Sequence, residues 1–249
     1  MNSIVILKEY KDSMNRTISY TVRYNNGVVR TISAKKLKTS LSMGNTKIIE
    51  EDEKVKARKL KLKAREEELY NSYNKLKLLG RTKVECTPIT YELIKTSCGH
   101  QCLLAINGEN CDIYIPNDVI RLNDNAKLAP FTINITRFKG TLRVFGGRNL
   151  ENTTDMFAAT NAVKLDVEGM DTHKVKTMHN MFAACSAREI NLTDFNTSKC
   201  ERLERMFYNS RAKEINVKSF SVLKSYGSYK YMAICADVQP TGLNIIQKD

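Results

Sequence analysis

From Asn149 to Phe220 the sequence repeats itself every 25 residues. Met156-Phe157 returns as Met181-Phe182 and again as Met206-Phe207, and one period on stands Tyr231-Met232, with the aromatic and the Met exchanged. Three more columns keep step: Leu165, Ile190 and Ile215; Val167, Leu192 and Val217; Met170, Phe195 and Phe220. Leu142 and Phe145 fit the same frame, so a degenerate first copy begins near Gly140. A unit this short cannot bury its own apolar face and must stack on a neighbour. The recurring Met and Phe are therefore read as core rather than as a cofactor box.

Within each unit, apolar and polar residues alternate over Lys164–Glu168, Glu189–Thr193 and Glu214–Lys218, the period of a short strand. After the strand, Val175, Met178, Met181 and Phe182 are spaced by three, three and one, which predicts a helix over Thr172–Ala184, with Thr197 or Ser198 capping its equivalent one copy later. The expected unit is strand, turn, helix.

The run Glu189-Ile190-Asn191-Leu192-Thr193-Asp194-Phe195-Asn196-Thr197-Ser198-Lys199, followed by Met206-Phe207, resembles the BspA-like leucine-rich repeats of bacterial surface lipoproteins and mobile-element proteins. The likeness covers about residues 140–235. It implies a binding scaffold without shared catalytic residues, and a phage or mobile-element factor acting on a host protein. The start, Met1-Asn2-Ser3-Ile4-Val5-Ile6-Leu7-Lys8-Glu9, lacks the pattern of a secretory signal, unlike many such relatives.

The rest of the chain divides by pattern. Residues 1–44 read as a small basic β unit, with alternating Ile18, Tyr20 and Val22, a turn at Asn25-Asn26-Gly27 and a returning strand at Val28–Ile32. Residues 45–80 read as a long charged helix or linker, with Ile48, Val55, Leu62, Leu69 and Leu76 seven apart and Gly80 at its end. Self-association through residues 46–79 is one use of such a helix. Residues 81–148 read as a β-rich cap, with a hairpin Cys102–Pro116 and strands at Val119–Leu122 and Phe131–Ile135. Residues 149–249 form the repeat domain. The expected class is α+β: a small N-terminal β unit, a long charged helix, a β-rich cap and a short leucine-rich-repeat-like solenoid.

Charge divides the chain in the same way. Residues 1–80 hold 18 Lys and Arg against 9 Asp and Glu, while residues 81–249 hold 22 against 18. The net charge of +13 is thus concentrated in the first third, which favours an acidic partner. The nucleic-acid-binding alternative rests on Arg16, Arg23 and Arg30 of the β unit and on the block Lys54, Lys56, Arg58, Lys59, Lys61, Lys63 and Arg65. The favoured surface is the outward face of the repeat strands: Lys164, Asp166 and Glu168; Glu189, Asn191 and Thr193; Glu214, Asn216 and Lys218. Its mixed charge suits a protein partner.

The odd count of seven Cys argues for a reducing compartment and a cytoplasmic protein. Cys98, His100 and Cys102 have partial zinc spacing, but no second compact pair follows. There is no phosphate-binding loop, dinucleotide fingerprint or zinc-protease motif, and no apolar run long enough to cross a membrane. The sequence therefore predicts a non-enzymatic interaction protein with no cofactor, no resident metal and no membrane association.

Overall fold

A computed structural model describes residues 2–11, 16–24, 29–48, 53–96, 99–121, 139–223 and 228–246. The N-terminal part is a four-stranded sheet of β1 (Asn2–Lys11), β2 (Thr17–Tyr24), β3 (Val29–Ser33) and β4 (Thr46–Ile48), in the order β3-β2-β1-β4. Helix α1 (Ala34–Ser42) crosses it. The Ser33 hydroxyl accepts from the Lys36 amide and caps α1, whose Leu37 is buried with Ile4 and Val22. The turn expected at Asn25–Gly27 lies outside the described residues.

Helix α2 (Glu53–Leu78) lies on the main sheet. Leu69, Tyr73 and Leu76, one helical face at spacings of four and three, pack on Leu103, Ala105, Tyr114 and Phe145. Gly80 closes the helix at φ +62°, and the Arg81 amide donates to the Leu76 carbonyl.

The main sheet has seven strands: β5 (Lys83–Cys86), β6 (Ile89–Lys95), β7 (Gln101–Asn107), β8 (Asn110–Ile115), β9 (Thr141–Gly146), β10 (Lys164–Asp166) and β11 (Glu189–Asn191). β5 to β8 form an antiparallel meander, and β8 to β11 run parallel, so a single sheet leads from the meander into the repeats. Bridges Glu189–Glu214 and Asn216–Thr241 extend it towards a parallel pair, β12 (Ser221–Leu223) and β13 (Asn244–Ile246). Of the strand expected at Val119–Leu122, the described part, 119–121, is not a strand: the Val119 amide closes a turn on Pro116, and Arg121 makes an isolated bridge to Asn152, while Leu122 lies outside the described residues. Phe131–Ile135 lies outside the described residues.

The expected α+β class, with a solenoid of strand–turn–helix units, is overturned. The chain is mostly β, and the described residues hold two α-helices, neither of them in the repeats. Thr172–Ala184 is a string of turns. Asn180 and Ala184 stand at φ +54° and +52°, a left-handed backbone no α-helix admits, and Asp155, Ala159, Arg205 and Asn209 do the same in the flanking copies. The amides alternate in their partners. Met181, Ala183 and Cys185 donate three residues back, to Met178, Asn180 and Phe182, while Asn180, Phe182 and Ala184 donate to Glu204, Met206 and Tyr208 of the next copy. Turns thus reproduce the three-residue spacing of a helix but give every second hydrogen bond to the neighbouring copy. Thr197 caps no helix: its hydroxyl bonds the backbone of Ser221.

Stacking of the copies aligns the aromatic columns. Phe157–Phe182 and Phe182–Phe207 ring centroids lie 5.6 and 5.4 Å apart, nearly parallel, and Phe195–Phe220 lie 5.7 Å apart. The last copy is displaced by one residue. Phe182 donates to Met206, 24 residues on, but Phe207 donates to Met232, 25 residues on. Met232 therefore takes the Met place and Ala233 the Phe place, while Tyr231 remains exposed.

Candidate functional site

Strand alternation splits β8–β11 into two faces. Cys111, Leu142, Leu165 and Ile190 pair in register and point into the core. Their neighbours Asp112, Arg143, Asp166 and Asn191 pair in register on the opposite face. Helix α2 covers part of this outer face. Arg65 Nε donates to Asp112 Oδ2 at 2.7 Å, and Arg143 Nε and Nη2 donate to the same carboxylate at 2.6 and 2.7 Å. Burial opposes the charge on Arg65, yet its hydrogen bonds to Glu68 and Asp112 hold the guanidinium above its ordinary pKa.

The helix also reaches the first of the expected outward rows. Arg58 Nη2 lies 2.8 Å from Glu168 Oε1, and the Glu168 side chain is 5 % exposed. Burial raises the Glu168 carboxyl pKa, with Arg58 opposing. Asp166, Asn191 and Asn216 have a shared local task. Each side-chain oxygen accepts the amide two residues on, of Glu168, Thr193 and Lys218, at 3.1–3.2 Å. This turns the chain out of the strand. Asn191 Nδ2 also donates to Asp166 and Glu168.

Beyond the reach of α2 the face is open. Glu189, Glu214, Asn216 and Lys218 are exposed, and Lys164 and Thr193 are half-buried. Lys164 Nζ pairs with Glu189 at 3.3 Å. These copies frame a cleft of about 520 Å³, lined wholly by residues between Lys164 and Ser219. Arg188 and Lys213 also line it, and neither was picked out from the sequence. They recur 25 apart immediately before each strand, a signal outside the alternating window.

The basic set does not form one patch. Arg16 is exposed, whereas Arg23 and Arg30 are half-buried, Arg30 lying 5.9 Å from the Tyr24 ring. On α2, Arg58 and Arg65 turn towards the sheet, Lys59 is half-buried, and Lys54, Lys56, Lys61 and Lys63 are exposed. A second cleft of about 520 Å³ lies between the N-terminal unit, α2 and the repeat turns, with Thr21, Lys59, Glu168 and Asn196 in its wall. Beside it, Asn196 Nδ2 donates to the hydroxyls of Thr21 and Thr31, joining the N-terminal sheet to the repeats.

Of the zinc candidates, Cys98 lies outside the described residues. Cys102 is fully buried in the core, where burial raises its thiol pKa. His100 is half-buried, and its carbonyl accepts from Thr96. Among the described residues, no group of three or more His, Cys, Asp and Glu is arranged to hold a metal ion. His173 and Asp171 form a buried pair, Nδ1 to Oδ1 at 2.7 Å. No helix of the described residues is long and apolar enough to cross a membrane.

Residues 127–240 match the family model described as a Mycoplasma protein of unknown function, DUF285. The match spans the repeats and says nothing of a leucine-rich repeat or an activity. Comparison with curated proteins gave no match, and neither did comparison with solved structures.

Proposed function

We propose that this is a non-enzymatic protein that binds another protein through the open outer face of the repeat strands. The observation behind this reading is the change in cover along one sheet face. Helix α2 and its ion pairs occupy the face from β6 to Glu168, and beyond that the same face continues as an open cleft. The cleft presents Arg188 and Lys213 beside Glu189 and Glu214, polar Thr193 and Asn216, and no single dominant sign. Such a surface matches a partner carrying both charges better than a uniform polyanion. The row of Asp166, Asn191 and Asn216 holds the backbone, so the partner-selecting side chains are the flanking Glu189, Thr193, Glu214 and Lys218. By the resemblance of its repeats, the partner is a host protein met by a phage or mobile-element factor, in the cytoplasm.

Site-specific photo-crosslinking of the full chain tests this, with the probe at Thr193 or Lys213 and a control probe at Asn71 on α2, in nuclease-treated lysate of the native host. A protein adduct of one mass from both cleft positions, absent at Asn71 and lost on combining Glu189→Arg with Glu214→Arg, is the expected result. Adducts that are the same at all three positions, or none at the cleft, would refute it.

A further inference from the structure

We infer that the first turns of α2, residues 53–61, are a releasable strap over the first repeat copy, and that their release lengthens the open outer face by that copy. The inference rests on the reading of that face as the binding surface and adds its regulation. The anchoring of α2 is one-sided. Leu69, Tyr73 and Leu76 are buried in a common core with the sheet, whereas no residue from 54 to 68 is buried, and half-buried Leu62 packs at the margin of that core. Arg65, paired with Asp112 and Glu68, pins the helix midway. Beyond it towards the N-terminus, Arg58 reaches Glu168 at 2.8 Å from a side chain that is itself 44 % exposed. Lys54, Lys56 and Lys59 have partners of their own, but Lys54 and Lys56 are exposed, where such contacts contribute little.

Beneath the strap lie space and a poorly compensated charge. The cleft of about 520 Å³ runs between Lys59, Leu62 and Lys63 of the helix and residues 168–172 of the repeats. The Glu168 side chain is almost wholly covered, while its counterpart two copies on, Lys218, is exposed. Burial raises the Glu168 carboxyl pKa, and Arg58 does not cancel the shift, so the ion pair does not offset the hydration lost. Opening returns both groups to water. Weak apolar anchoring and a buried carboxylate thus place the low-stability end of α2 on the binding face. With the strap lifted, the pair Asp166 and Glu168 joins Asn191 and Thr193, then Asn216 and Lys218, as a third accessible row. A partner seated on all three rows binds the open form alone and draws the equilibrium towards it.

The test is amide hydrogen exchange of the full chain near neutral pH, read at residues 57–61, whose amides are bonded within the helix, against residues 69–76. Exchange at 57–61 should be at least about tenfold faster. Arg58→Ala leaves Glu168 buried without its ion pair and should quicken exchange there by about a further tenfold, although Ala is the better helix former. Glu168→Gln removes the buried charge and should not quicken it. An ordinary ion-pair clasp would quicken exchange in both variants. That result, no response to Arg58→Ala, or exchange at 57–61 as slow as at 69–76 would overturn the strap. For the regulation, the photo-adduct from a probe at Thr193 in nuclease-treated lysate of the native host should rise at least about twofold when Arg58→Ala is added. An unchanged yield with the strap open would overturn the regulation. No adduct from either chain would overturn the binding face itself, while exchange alone decides whether the strap opens.

Discussion

Arg65 reaches Asp112 across 47 positions of sequence, Nε to Oδ2 at 2.7 Å, and fixes helix α2 on the sheet through a carboxylate that is 4 % exposed. Arg143, on the next strand, closes on the same group. Two guanidiniums meet at one buried carboxylate, so removing it breaks both contacts at once and leaves the half-buried Arg65 with Glu68 alone, whereas removing Arg143 leaves Arg65 in place. Asp112→Ala should therefore cost about 3 kcal/mol in urea unfolding. Arg143→Ala, at a partly exposed site, should cost less than about 1 kcal/mol. Equal losses would show that the carboxylate is not the hub.

The Phe column predicts a gradient set by stacking. Phe182 lies between two rings and Phe157 beside one described ring. Phe182→Ala opens a cavity in the middle of the column and should cost about 3–5 kcal/mol. Phe182→Leu keeps most of the volume and should cost less than half as much. If the two substitutions cost the same, ring stacking rather than volume dominates.

What the sequence made legible follows from which contacts are local. The 25-residue period fixed which side chains face the core, because a stack repeats its burial with its sequence: Leu165, Ile190 and Ile215 are all buried, as are Met181 and Phe182. The Thr172–Ala184 turns were unreadable as such. Their apolar spacing of three comes from turns closed three residues back, and the left-handed residues Asn180 and Ala184 are not glycines. Asp112 left a faint trace as the one charge in Cys111–Ile115, but its partners lie 47 and 31 positions away. The displacement of the last copy was equally hidden, since Tyr231-Met232 mimics an exchanged Met-Phe pair while Met232 fills the Met place.

Ala184 tests the turn assignment directly. It is exposed and sits at φ +52°, so a substitution there changes backbone preference and little packing. Ala184→Gly should leave stability within about 0.5 kcal/mol of the parent or raise it slightly, since glycine adopts this conformation without steric cost. Ala184→Val should lose about 1–2 kcal/mol, because a β-branched side chain is strained there. In a helix the order would reverse, with Gly the worse substitution.

Asn196 joins two parts of the fold through Thr21 and Thr31. Asn196→Ala should raise amide hydrogen exchange in β2 and β3 while leaving β10 and β11 protected, because the loss is confined to the junction. Exchange unchanged in β2 and β3 would mean that the N-terminal sheet is held by something else.

Glu168 sets a pH dependence whose sign is opposite to that of most carboxylates in folded proteins. Burial raises its pKa above the ordinary value despite Arg58, so the native state binds its proton more tightly than the unfolded chain does. Stability from this group is fully present below the unfolded pKa, near 4.3, and is lost as pH rises through the higher folded value. Asp155, likewise raised by burial against the opposing Asn180 and His179, adds in the same direction. Glu168→Gln removes the titration while keeping the shape. Urea unfolding of parent and variant, run from acid to neutral pH, should therefore show the parent losing stability relative to the variant as pH rises. Should the parent instead gain on the variant over that range, the attraction of Arg58 would outweigh burial, and the ion pair would be the stabilising element at this end of α2.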